Sequence, residues 1–324
     1  MFLLQNIIDI SLKNKNALYV SFIDLKKAFD SANHQALWFK LAKNGINSKL
    51  INLLKDMYSK MKLCVKSTYI NNSSNHACHC NNLLHSSLST QSCHRCTSCN
   101  NEQDDVCYFS PQAGVFQGET LSPVLFSFFL NDINEFMKEG HNIGISIYHL
   151  YLVLILFADD MVLFSDNRFG LQQGLDRLYD YCNTWGLTVN VEKTKCMVFK
   201  NGGRVSAFDK WTYNGHALET VKSFRYLGFV FSSSGKFKLA FNSIVHQGER
   251  AIFKLYSSIE NFENMYISMQ LSLFNSLVTS ILCYACEIWG FAQAKAIETL
   301  HLKFLKRILK VKKNNTKLYD LQRV

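Results

Sequence analysis

The stretch LYLVLILFADDMVLFSD, residues 150–166, limits the fold more than any other. Two adjacent carboxylates, Asp159 and Asp160, interrupt an otherwise nearly continuous apolar run. Unpaired charge is too costly to leave in an apolar interior, so these acids must reach an edge while their neighbours stay inside. Two apolar runs flanking Ala158, Asp159 and Asp160 form the pattern of a β-hairpin with the carboxylates at its tip. The most apolar segment, residues 145–157, contains His149 and is 13 residues long. That is short of the roughly 20 residues a membrane-spanning helix needs.

A second carboxylate closes a similar run. Residues 18–25, LYVSFIDL, read as a buried strand ending near Asp24. A helix follows, capped by Ser31 or Asn33 and stopped at Gly45. Leu50, Leu53, Leu54, Met57 and Met61 then recur at helical spacing. Residues 117–123 read as a loop entering a helix, with Pro123 in its first turn and Leu125, Phe129 and Phe136 continuing it. Leu171, Leu175, Leu178, Cys182 and Trp185 share one helical face, which Gly186 ends. LTVNVEKTKCMVFK and KSFRYLGFVFSSSG are strand-like, and the pattern is helical from about Lys236 onward. Asp30 and His34 read as a cap or helix pair, and Trp38 and Trp185 as core.

Residues 71–107 break this pattern, with seven Asn, seven Ser, six Cys, four His and no aromatic side chain in 37 positions. Such a segment can bury little, and a disordered insert is expected. Its Cys78, Cys80, Cys93, Cys96 and Cys99 invite a zinc reading. The spacing is not two clean CxxC pairs, so a zinc module is not the favoured reading.

The 324-residue chain carries a formal charge of +10, and the last 24 residues alone hold a net +7. A basic end of this kind suits a polyanion. Eleven cysteines and a start without a basic leader region argue against a secreted, disulfide-framed protein. An intracellular protein without membrane spans is the expectation.

Three carboxylates at strand ends, Asp24, Asp159 and Asp160, would repel one another if they met on one sheet edge. Hard oxygen ligands suit Mg²⁺, and a pair of such ions can support in-line phosphoryl displacement. The sequence around them resembles the reverse transcriptase domain of non-LTR (LINE-type) retrotransposons. FIDLKKAFD, QGETLSPVLFSFFLNDI, LFADDMVLFS, GLTVNVEKTKCMVF and FRYLGFVF resemble five palm motifs in the family's order, and ILCYACEIWG the segment that follows them.

The resemblance implies an α+β right-hand polymerase palm with a helical thumb, and a fingers region largely missing before Asp24. It places the palm with residual fingers in residues 1–235, interrupted by the insert 71–107, and the thumb in 236–324. It implies metal ligation by Asp24, Asp159 and Asp160, aided by the Leu25 carbonyl. Phe29 would be the gate that excludes a 2′-hydroxyl, and Gln117 and Gly118 would touch the incoming nucleotide. Lys193 would protonate the leaving pyrophosphate, and Tyr226, Leu227 and Gly228 would grip the primer. The implied activity is that of an RNA-directed DNA polymerase using two Mg²⁺ ions, with Mn²⁺ as the alternative. Its partners would be an RNA template, a DNA primer and dNTPs, with no membrane, in a nuclear or cytoplasmic ribonucleoprotein. Phe29 and QGETLSP argue against the other palm enzymes, nucleotide cyclases and RNA-dependent RNA polymerases. The competing expectation is an inactive remnant that at most binds nucleic acid. Oligomeric state is not legible.

Overall fold

The computed structural model describes residues 1–66, 106–116, 118–139, 143–201, 206–260, 265–290 and 295–311. Along the chain these form α1 (Phe2–Lys13), β1 (Leu18–Asp24), α2 (Ala28–Ser31), α3 (His34–Lys43), α4 (Ser48–Lys60), β2 (Leu63–Lys66) and β3 (Val106–Phe109). Next come α5 (Ser122–Phe129), α6 (Ile133–Lys138), β4 (Ile145–Ile147), β5 (Leu150–Leu152), β6 (Leu154–Phe157), β7 (Asp160–Ser165) and α7 (Arg168–Trp185). Then follow β8 (Lys195–Phe199), β9 (Trp211–Tyr213), β10 (His216–Thr220), β11 (Ser223–Tyr226) and β12 (Phe229–Ser232). The remaining elements are α8 (Lys238–Glu260), α9 (Ile267–Phe274), a π-helical turn (Asn275–Thr279), α10 (Ser280–Leu282), α11 (Cys286–Trp289) and α12 (Lys295–Ile308). This is the expected α+β class. No described helix is long and apolar enough to cross a membrane.

The chain divides into two compact units. One comprises residues 1–32 and 115–324, the other residues 33–114. The larger is built on a six-stranded sheet of order β6-β7-β1-β8-β10-β9, antiparallel except where β10 meets β8. Strand side chains alternate between faces, and the sheet uses both. Val20 and Phe22 of β1, Val162 and Phe164 of β7, and Met197 and Phe199 of β8 join one core with α1, the β11–β12 hairpin and α8. On the other face α7 lies close, because Gly174 leaves room for Leu163. A Cβ at Gly174 would stand 2.9 Å from Leu163 Cδ2. The Asn167 side chain caps α7 by accepting from the Gly170 amide at 2.7 Å, and Gly186 ends it at φ 71°, as the apolar spacing predicts.

The apolar run ahead of the acids is not one strand. Tyr148 takes a left-handed φ of 52°, and the run folds back as β4–β5 before β6 begins. The helix entered at Pro123 is likewise broken into α5 and α6 by the turn at residues 130–132.

In the smaller unit, Asn33 rather than Ser31 caps α3, accepting from the Ala36 amide at 3.0 Å. His34 bonds the Gly114 carbonyl through Nε2 at 2.8 Å and meets Tyr58 edge-on. Tyr58 also meets Trp38 edge-on, with the ring centroids 5.6 Å apart. The face that α4 buries is Ile51, Leu54 and Tyr58, whereas Leu50, Leu53 and Met57 are exposed. The sequence spacing is therefore helical as expected, and of the residues that carry it Leu54 is the one buried, beside Ile51 and Tyr58. Strands β2 and β3 pair antiparallel, so Val106 and Cys107 of the expected insert belong to a strand. Most of that insert, including the five candidate zinc cysteines, lies outside the described residues.

Candidate active site

The register of the central strands creates the site. Asp24, the last residue of β1, stands directly opposite Asp160, the first residue of β7. Asp24 shares its face with Val20 and Phe22, and Asp160 shares its face with Val162 and Phe164. Both carboxylates therefore rise from the same sheet face at one end of an apolar strand pair. Cβ atoms so placed are about 4.5–5.5 Å apart, and like charges there repel. Asp159 belongs instead to the two-residue turn joining β6 to β7, whose other member, Ala158, has φ 54°.

Burial first, then the Asp159 and Asp24 charges, raise the Asp160 carboxyl above its ordinary range. A divalent cation would relieve this repulsion, and an all-oxygen donor set suits a hard ion. Among the described residues no three acidic, His or Cys side chains are already gathered tightly enough to form a complete metal cage.

Two cavities flank the acids. The first, about 410 Å³, is lined by Asp24, Asp160, Lys193, Arg225, Tyr226 and Leu227, among others. The second, about 360 Å³, is lined by Phe29, Phe116, Gly118, Ser122, Pro123 and Asp159. The acid turn thus divides Asp160, which faces the first, from Asp159, which faces the second.

Asp24 is held by its backbone. Its carbonyl accepts from the Asn190 amide at 2.7 Å, and its amide donates to Thr194 Oγ1 at 3.3 Å. The 190–194 turn carrying these groups also presents Lys193, whose Nζ lies 3.7 Å from Asp24 Oδ2. Lys193 is largely exposed, so this ion pair adds little stability. Leu25 is buried and bridges to Val189. Asn190 and Thr194 escape a sequence reading centred on acids, since their role depends on which strand the turn touches.

Phe29 follows a left-handed Lys27 and stacks on Phe126, with centroids 4.9 Å apart. That contact fixes the ring where it lines the second cavity. Gly118, at φ 95°, opens onto free space, so backbone can approach a ligand there without a Cβ between. Gln117 lies outside the described residues. Tyr226, Leu227 and Gly228 form the end of β11 and the turn into β12. Tyr226 and Leu227 line the first cavity; Gly228, beside them, does not.

Each cavity also carries a buried hydroxyl with no hydrogen-bond partner among the described residues. These are Tyr226 Oη in the first and Ser122 Oγ in the second. Burial, then the Asp160 charge, raises the Tyr226 phenol, keeping it a donor. Orphaned buried hydroxyls are uncommon in folded proteins and invite a ligand partner. The sequence singles out Tyr226 but not Ser122.

The family model described as reverse transcriptase (RNA-dependent DNA polymerase) matches residues 3–231, a span that includes both cavities. The chain belongs to the reverse transcriptase family. The RNA-directed DNA polymerase from the mobile element jockey of Drosophila funebris is 22% identical over 307 residues, covering 92% of this chain and 29% of that protein. The Pol polyprotein from the type-2 retrotransposable element R2DM of Drosophila melanogaster is 24% identical over 235 residues, covering 69% and 18%. The chain thus spans less than a third of the length of either relative. Among solved structures, a C-terminally truncated apo telomerase from Candida tropicalis is similar at 17% identity and a TM-score of 0.44, covering 72% of this chain and 37% of that one. The resemblance to non-LTR reverse transcriptases is borne out. Divalent ions are general to the reverse transcriptase family.

Proposed function

We propose that this chain is the polymerase module of a mobile element and extends a DNA 3′-hydroxyl along an RNA template. One observation carries the proposal. Asp24 and Asp160 stand opposite each other at the end of the central strand pair and line the cavity of Tyr226 and Leu227, while Asp159 in the adjoining turn lines the cavity of Phe29 and Gly118. That is the layout nucleotidyl transfer needs: an incoming nucleotide on one side of the acids and a primer end on the other.

Asp24, Asp159 and Asp160 would hold two Mg²⁺ ions, with the Leu25 carbonyl as a further oxygen; such ions supply an activated hydroxyl and charge stabilisation on the phosphoryl oxygens. The protein's own groups do the rest. The Phe29 ring, fixed by Phe126, leaves room for a deoxyribose and clashes with a 2′-hydroxyl. Gly118 and Gln117 contact the incoming nucleotide, with Ser122 Oγ beside them as a free donor. Lys193 holds a proton at Nζ beside Asp24, where pyrophosphate departs. Tyr226, Leu227 and Gly228 seat the primer end. The exposed basic side chains of α12, Lys303 and Arg307 among them, contact phosphates without reading sequence. The compartment would be that of a nuclear or cytoplasmic ribonucleoprotein.

Primer extension on an RNA template with dNTPs and Mg²⁺ tests this. Asp24→Asn should cut extension by about 10³-fold, and near-normal activity in that variant overturns the site. Phe29→Val should leave dNTP extension in place and improve incorporation of ribonucleotides by about 10–100-fold, the range a misfit of a few atoms commands. No extension by the unaltered chain, with RNA binding that weakens steeply in salt, would favour a nucleic-acid-binding remnant.

A further inference from the structure

We infer that Tyr284 is a positioning residue: it pins the turn of Leu227 and Gly228 at the wall of the acid-lined cavity and so fixes the seat of the primer's 3′ end. The primer part of this inference rests on the function proposed above; the pinning does not.

The turn needs a pin. Strands β11 and β12 form a sheet of only two strands, and such ribbons are marginal by themselves. Their two-residue loop has Leu227 at φ 46° and Gly228 at φ 79°, the type I′ pattern. Asn or Gly normally fills the first of these positions. A leucine there is held against its own backbone preference, and such residues persist only where the surroundings over-determine them. Leu227 is also a wall of the cavity that holds Asp24 and Asp160.

Tyr284 supplies the constraint from 57 residues downstream. Its hydroxyl donates to the Leu227 carbonyl. Its ring packs where Gly228 lacks a side chain, since a Cβ there would stand 3.3 Å from Tyr284 Oη and 3.4 Å from Cε1. Tyr284 is itself anchored. Its carbonyl accepts from Trp289 Nε1 at 2.9 Å, and buried Trp289 meets Phe241 of α8 edge-on at 5.6 Å. Two residues earlier, Leu282 sits so close to α8 that a Cβ at Gly248 would fall 2.3 Å from Leu282 Cδ2. A rigid path therefore runs from α8 through Leu282 and Tyr284 to the one strained residue of the cavity wall.

The test combines hydrogen exchange on the full chain with binding of two RNA–DNA duplexes, one with a recessed DNA 3′ end and one blunt. Tyr284→Phe keeps the ring and removes the hydroxyl. We expect amide exchange across residues 226–229 to rise about fivefold, the equivalent of one net hydrogen bond of about 1 kcal/mol. Affinity for the recessed duplex should fall by about the same factor while the blunt duplex binds unchanged. Adding Leu227→Asn, which tolerates the left-handed backbone, should return the exchange to its unaltered rate. Unchanged exchange in Tyr284→Phe overturns the pin. Equal loss for both duplexes, with faster exchange, overturns the primer-positioning role and leaves Tyr284 a purely structural contact. An unaltered chain that does not distinguish the two duplexes sinks the primer assignment, while the exchange result still decides the pin.

Discussion

Two hairpins meet at this site, and they are held in opposite ways. The β6–β7 hairpin that carries Asp159 and Asp160 is part of the six-stranded sheet, with β1 paired along the whole of β7. Its geometry is set by a ladder of backbone bonds, and its polar tip is almost incidental to its stability. The β11–β12 hairpin that carries Tyr226 and Leu227 has no third strand among the described residues. It depends on Phe229 and Phe231 being buried in the shared core, on the stack of Phe224 over Phe22 at 4.7 Å, and on Tyr284. The acids stand on the stiffest part of the molecule, whereas the opposing wall is held by side chains.

The comparison can be broken at several points. The largest effect is on catalysis: Asp24→Asn and Asp160→Asn should each cost about 10³-fold in primer extension, as expected for loss of a preorganised charge, with circular dichroism unchanged. Core truncations come next. Phe164→Ala and Phe231→Ala should each destabilise the chain by about 3–5 kcal/mol in denaturant titrations. They should differ in where the loss appears, because Phe231→Ala loosens the 223–232 segment in hydrogen exchange while the acid hairpin stays protected.

A smaller effect concerns pH. The Asp160 carboxyl titrates above its ordinary range, chiefly through burial, so its neutral form favours the folded state. The stability this lends is complete below about pH 4, the ordinary carboxylate value, and is lost as pH rises through the raised value. Asp160→Asn cannot ionise. It should therefore melt at a higher temperature than the unaltered chain at pH 7, with the gap closing toward pH 4. A variant that melts lower at pH 7 would show that the acid is stabilised in ways the geometry does not reveal. The smallest effect is at the tip. Ala158→Gly, which removes the cost of a left-handed alanine, should stabilise the chain by up to about 1 kcal/mol.

The parts of the fold that were legible in advance are those specified by local pattern. Strand β1 ends at an acid, α7 carries its cap, apolar face and terminal glycine, and the acid turn is flanked by two strand-like runs. What the sequence could not display was register. Nothing in LFADDMVLF says that Asp160, rather than Asp159, stands opposite Asp24, because that depends on a pairing 136 residues apart. The buried face of α4 was not legible for the same reason: Leu50, Leu53, Leu54 and Met57 all recur at helical spacing, and only the folded chain shows Leu54 buried with Ile51 and Tyr58. Helix α1 and strands β9 and β10 went unrecognised. The two strands are short and gain their stability from the sheet edge they form, while α1 buries Leu4, Ile7 and Ile8 in the core. Asn190, Thr194, Ser122 and Tyr284 were illegible because their roles are hydrogen bonds, or the absence of one, with partners or cavities that only the folded chain assembles.

The central position of β1 also governs the order of assembly. Its partners β7 and β8 begin 136 and 171 residues after Asp24. At a synthesis rate of about 5–20 residues per second, the first acid waits roughly 7–27 s on the ribosome before the second is made, and longer for the turn that holds its backbone. Until then β1 is an apolar strand with both edges open, the kind of segment that pairs with the wrong neighbour. The strand that organises the site is thus also the one most in need of protection while the protein is being born.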